Sequence, residues 1–153
     1  MKKYFLTFGL LFTVGLTTVM FNSCGKDDNK NNSKSEKGVV INGVKWATRN
    51  VDAPGTFTDN PEDTGMFYQW NRKKAWSATG AVTDWDTIYP IGTNTWTKAN
   101  DPSPVGWRVP TLAEIETLLD SDKVSNVWTT QNGVNGRKFT DKVTGAFIFL
   151  PAL

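Results

Sequence analysis

Gly106-Trp107-Arg108-Val109-Pro110-Thr111-Leu112-Ala113-Glu114-Ile115-Glu116-Thr117-Leu118-Leu119 joins a helix start signal to a helical period. Pro110 lacks a backbone N–H and biases Val109 away from helix, while the Thr111 hydroxyl can accept from the first turn. Glu114, three residues on, completes a Thr-x-x-Glu capping box. Leu112, Ile115, Leu118 and Leu119 then fall on one face, which predicts a helix of about ten residues. Trp107 is expected to pack beneath Leu112, Ile115 and Leu119. Arg108 is expected to tie the preceding loop to carbonyls or a carboxylate.

The totals bound what surrounds this stretch. The chain has 153 residues, 39% hydrophobic and 21% charged, which suits one globular domain with processing segments attached. Lys2 and Lys3 are the only charges before Cys24, so the remaining 15 basic residues face 15 acidic ones. That balance gives no reason to expect nucleic acid as a partner. There is no His, which excludes His-based triads, and the single Cys excludes an internal disulfide. No cofactor or metal ligand set is expected.

Residues 1–23 read as an export signal, with Lys2-Lys3 ahead of the apolar run Tyr4 to Phe21. An uncleaved membrane anchor is the competing reading, although the run is short for a bilayer span. Phe21-Asn22-Ser23-Cys24 resembles a lipobox, which makes Cys24 the expected lipidation site. Lys26-Asp27-Asp28 looks like the Lys-acid-acid signal that follows the lipidated cysteine in surface-exposed lipoproteins of Bacteroidota. Gly25 to Lys37 has no apolar residue beyond glycine and reads as a disordered tether. An outer-membrane, lipid-anchored protein exposed at the cell surface is therefore expected, with palmitate on Cys24 and a domain over 38–153.

Asn42-Gly43, between the β-prone runs Val39 to Ile41 and Val44 to Ala47, predicts a hairpin turn with positive φ. Thr58 to Gly65 is an oxygen-rich loop without the calcium-loop spacing, and it reads as a solvated acidic turn. Met66 to Trp76 bunches aromatics around Arg72-Lys73-Lys74. A sugar-binding groove and plain core packing compete there, with core packing favoured. Ser77 to Asn100 shows no helical period and reads as a long irregular loop. Trp85 and Trp96 in that loop, and Trp76 before it, are the candidate ligand-facing residues. Trp46, Trp70, Trp107, Arg108, Pro110, Thr111 and Glu114 are expected to be structural. Asp86-Thr87-Ile88 resembles a three-residue O-glycosylation motif of Bacteroidota exported proteins. Arg137 to Lys142 reads as a strand with turn residues, and Ala146 to Leu150 as a buried strand.

Taken in order, these landmarks resemble the Fibrobacter succinogenes major paralogous domain (FISUMP) family. The residues that carry the resemblance are Ile41 to Val51, Gly65 to Trp70, Pro104 to Thr111 with Glu114, and Phe149 to Ala152. The resemblance implies an exported or surface-attached protein and a fold similar to the C-type-lectin-like and formylglycine-generating-enzyme folds. The expected class is α+β, with twisted antiparallel strands, one capped helix and long loops. Family members continue past Leu-Pro-Ala, so truncation after Leu153, with an apolar edge left uncovered, is one expectation.

The functional expectation is a non-catalytic binding or adhesion module for glycans or another surface protein. A structural surface-coat component is the alternative. A carboxylate-based hydrolase using acids such as Asp59, Glu62, Asp63, Asp84 or Asp86 is the enzymatic one. Copper oxidation of the formylglycine-generating type would need a cysteine pair that the domain lacks.

Overall fold

The structure is a computed structural model and describes residues 35–85, 87 and 95–152. Cys24, the Lys26-Asp27-Asp28 signal, and Asp86 and Ile88 of the three-residue motif lie outside the described residues. Within them the fold is α+β, built mostly from antiparallel strands with one short helix.

The first hairpin pairs β1 (Val39–Ile41) with β2 (Val44–Trp46). Asn42 (φ 45°) and Gly43 (φ 79°) supply the left-handed turn expected of that pair. A second hairpin joins β3 (Met66–Tyr68) to β4 (Ala75–Ser77). The helix α1 (Leu112–Thr117) follows, and a three-stranded sheet ends the described chain. Its strands are β5 (Val124–Gln131), β6 (Val134–Asp141) and β7 (Phe147–Pro151), in the order β5-β6-β7. The turn between β5 and β6 is only Asn132-Gly133, because Val134 to Gly136 already pair with β5.

Ile41 from β1, Leu118 after the helix, Val124, Phe139 and Ile148 form the core, with Val39 and Trp46 packed against it. Trp46 thus has the structural place expected of it. The first hairpin's tip is pinned by polar bonds. Asn42 N donates to the Asp141 carboxylate (2.9 Å), and Asn42 Nδ2 donates to Thr117 O (3.0 Å). Asp141 also accepts from Val143 N and Thr144 N. The backbone N–H of Asn42, then that of Thr144, hold its carboxyl down at about 2.

Three expectations are corrected. The helix has six residues rather than about ten, and its capped end Leu118 continues as a tighter turn. A single turn and a half can point only a narrow face inward, so Leu118 is buried while Leu112, Ile115 and Leu119 remain exposed. Trp107 therefore does not sit beneath those three; it meets Phe57 edge-on at 5.8 Å, with Lys45 Nζ 5.4 Å from its ring. The ordered region also starts before Gly38. Glu36 accepts from Gly38 N, from Thr48 and from Arg49 Nε (2.9 Å), and both side chains of that ion pair are nearly inaccessible. Burial opposes ionisation of Glu36, yet the bonds from Arg49, Gly38 and Thr48 outweigh it and keep its pKa below the ordinary range.

The strand expected at Ala146 to Leu150 is only half interior. Ile148 and Phe149 are buried, while Phe147 and Leu150 are exposed. Gly136 lets β7 come close: a Cβ there would lie well inside van der Waals contact with Leu150 O and the Phe149 ring.

Candidate functional site

The capped stretch and the aromatic hairpin meet at one concavity of about 210 Å³. Trp70 and Trp96 contribute its aromatic faces. Thr95, Asp101, Arg108 and Thr111 contribute polar atoms, and Val109 and Pro110 lie between them.

Trp70 sits in the β3–β4 turn, next to Asn71. Asn71 is buried and left-handed (φ 54°), a conformation that asparagine tolerates better than most side chains. That turn aims the Asn71 side chain at a segment 26 residues on. Its Oδ1 accepts from Thr97 N (2.9 Å) and Thr97 Oγ1 (3.0 Å), with Asn100 Nδ2 at 3.4 Å. Trp96 Nε1 donates to Asn100 O (2.7 Å), closing the 96–100 turn on itself. The two indoles are thereby brought to a centroid distance of 5.3 Å at an interplanar angle of 62°. Trp70 is 42% exposed.

The opposite wall is the helix start. Thr111 and Glu114 form the expected capping box, with Thr111 N donating to Glu114 Oε2 (2.8 Å) and Glu114 N to Thr111 Oγ1 (3.3 Å). Arg108 grips Glu114 with two bonds, of 2.8 and 2.5 Å, and also donates to Val109 O (3.2 Å). Both a carbonyl and a carboxylate thus hold Arg108, as its position predicts. The Arg108 hydrogen bonds, then that from Thr111 N, hold the Glu114 carboxyl down at about 2. The same bonds raise the Arg108 pKa. Asp101 closes the floor. Its Oδ1 accepts from Ser103 N (2.8 Å) and its Oδ2 from Val109 N (3.0 Å), which leaves each oxygen room for a further donor.

The sequence-predicted residues divide unevenly. Trp96 lines the pocket. Trp76 does not: it is only 7% exposed, donates through Nε1 to Thr83 O (3.0 Å), and carries Lys74 Nζ 4.9 Å from its ring. Trp85 is exposed but lies against Trp76 at 5.1 Å, forming a second aromatic pair that does not line this concavity. Trp70, expected to be structural, is instead the most open aromatic wall. Arg108, Pro110 and Thr111 serve the helix start and line the pocket as well. Asn71 was not singled out by sequence; an asparagine beside Trp70, able to turn left-handed, was the available signal.

A larger apolar hollow of about 590 Å³ adjoins the Trp70–Trp96 pocket, sharing Arg108, Val109 and Pro110, and is lined further by Trp46, Phe57, Trp107, Ile115, Ile148 and Leu150 among others. Trp46 Nε1 is buried there without a hydrogen-bond partner among the described residues. In the acidic loop, Glu62 accepts from Gln131 and Asn132 and so ties the loop to the β5–β6 turn, while Asp63 accepts from Asn60 within the loop. Among the described residues no group of three acidic, His or Cys side chains is placed to hold a metal, and no helix is long and apolar enough to cross a membrane. No family profile, curated protein or solved structure matches the chain.

Proposed function

We propose that this chain is a non-catalytic surface lipoprotein, anchored in the outer membrane by acyl chains on Cys24, whose domain binds glycans through the Trp70–Trp96 pocket. The observation that carries the reading is the pocket itself: two indoles 5.3 Å apart, one of them 42% exposed, beside Thr95, Asp101, Arg108 and Thr111. An apolar sugar-ring face stacks on an indole while hydroxyls bond to the polar rim, and this pairing of surfaces is what saccharide recognition requires. Membership of the Fibrobacter succinogenes major paralogous domain family, with a C-type-lectin-like fold, belongs to the same proposal. Its support is the ordered motif series and an α+β domain of short strands, one capped helix and irregular segments.

A glycan array probed with the full chain tests the binding reading. Signals lost with Trp70→Ala and Trp96→Ala support it, and signals indifferent to both substitutions refute the assignment to this pocket. Cys24→Ala is expected to abolish palmitate labelling and release the protein from membranes. Another surface protein as partner is favoured by a separate observation, the exposed run of Leu112, Ile115 and Leu119. In a cell-adhesion assay, loss with Leu112→Glu and Leu119→Glu but not with the tryptophan variants selects that reading.

A further inference from the structure

We infer that the Trp70–Trp96 pocket takes a neutral pyranose at the end of a glycan and discriminates against sugars that carry a carboxylate. The inference rests on the glycan-binding reading above and adds the ligand's charge and size. Size comes first. Pockets for drug-sized ligands run to roughly 300–1,000 Å³, so a hollow of about 210 Å³ accommodates one ring rather than a chain of rings. A single ring stacked on the outer side of the Trp70–Trp96 pair, whose indoles touch each other edge-on at 5.3 Å, is a chain end or a branch tip.

Charge decides the rest. Arg108 is the only cation that lines the pocket among the described residues, and its charge is already matched. Glu114 takes two of its N–H groups, at 2.8 and 2.5 Å, and is itself fixed by Thr111 N. To bind Arg108 bidentately, an acidic sugar would have to displace a carboxylate that the helix cap holds in place. Asp101 then sets a second carboxylate against the same guanidinium, so that one cation faces two negative charges among the described residues. Arg72, Lys73, Lys74 and Lys98 are close in sequence, yet none of them lines the pocket. Lys74 is turned to the Trp76 ring.

Neutral hydroxyls meet no such penalty. Each Asp101 oxygen already accepts one backbone N–H and can accept one hydroxyl more. The Thr95 and Thr111 hydroxyls can donate or accept, and Arg108 keeps N–H groups beyond those given to Glu114 and Val109. The rim is thus built for partners that both donate and accept, and hydroxyls do this where carboxylates only accept.

The test compares methyl hexopyranosides with the matching methyl hexuronides. Titrations use the full chain in a detergent without sugar head groups, at moderate salt. One net negative charge several ångströms from a ligand carboxylate corresponds to about threefold to tenfold weaker binding of the uronide. Glu114→Gln keeps a capping-box residue while removing the charge that matches Arg108, so the neutral-to-acidic affinity ratio should fall toward or below one. A helix role alone would leave that ratio unmoved. Uronides binding as tightly as neutral sugars, or an unchanged ratio in Glu114→Gln, would overturn the inference while leaving the glycan reading intact. Binding of neither sugar class would instead remove the glycan reading on which it rests.

Discussion

Replacing Asn71 should undo the pocket without touching either tryptophan. Its Oδ1 holds the Thr97 amide at 2.9 Å and the Thr97 hydroxyl at 3.0 Å; the Asn100 contact at 3.4 Å is too long to count for much. Two net hydrogen bonds at about 0.5–1.5 kcal/mol each suggest a loss near 2 kcal/mol. Thr97 is exposed, however, and water replaces part of what is lost. Asn71→Gly, which keeps the left-handed turn, should therefore cost about 1–2 kcal/mol. Asn71→Ala should cost about 1–2 kcal/mol more, because alanine is strained at φ 54°. Urea unfolding followed by tryptophan fluorescence reads both values. Amide hydrogen exchange at Thr97 adds a local reading, with protection expected to fall in both variants. Wild-type midpoints in both variants, or a Thr97 amide already unprotected in the wild type, would refute this account of how Trp70 and Trp96 are held together.

Three further outcomes follow from the fold. The Tyr68 hydroxyl donates to the Asp52 carbonyl, and burial, then the Asp52 charge, push its pKa up to about 12. The folded value lies above the ordinary 10.0, so this stabilisation is complete below pH 10 and lost as the pH rises through about 12. Ultraviolet titration should show a late tyrosine that disappears in Tyr68→Phe; ionisation of all tyrosines near the ordinary value would contradict it. The Asp141 carboxyl, held at about 2 against an ordinary 3.8, stabilises the fold above about pH 4 and ceases to do so as the pH falls through 2. Asp141→Asn should lower the thermal midpoint at neutral pH and flatten its decline between those limits, whereas an unchanged acid limb would argue against the hairpin-tip bonds. Gly136→Ala forces a Cβ against Leu150 O and the Phe149 ring, at a cost of about 1–3 kcal/mol in urea unfolding. A wild-type midpoint there would mean that β6 and β7 are less closely apposed.

What could be read in the sequence was written in neighbouring residues. Thr111 and Glu114 are three apart and cap the helix as the spacing requires, and Asn42-Gly43 turns the first hairpin. Arg108 finds its carboxylate six residues on. Reading failed where the deciding partner lies far along the chain. Nothing near Glu36 marks it as ordered, because Arg49 and Thr48 fix it from the far side of a hairpin. Trp70 and Trp76 belong to one aromatic cluster, and composition cannot tell which faces out. The hairpin register decides it, setting Trp76 opposite Phe67 and leaving Trp70 in the turn. The period of Leu112, Ile115 and Leu119 overstated their burial, because a six-residue helix turns only Leu118 at its end into the core and Leu119 already lies beyond it. The pocket was half legible: Trp96 was among the candidates, and Asn71, which couples it to Trp70, was not.

The binding account is tested most directly by following the indole Nε1–H signals of the ¹⁵N-labelled full chain while a neutral methyl hexopyranoside is added. Trp70→Phe and Trp96→Phe assign the two signals that matter. Saturable shifts of the Trp70 and Trp96 signals, with Trp76 and Trp85 still, are the predicted result. No shift of either signal at saturating sugar, or shifts confined to the Trp76–Trp85 pair, would contradict the account.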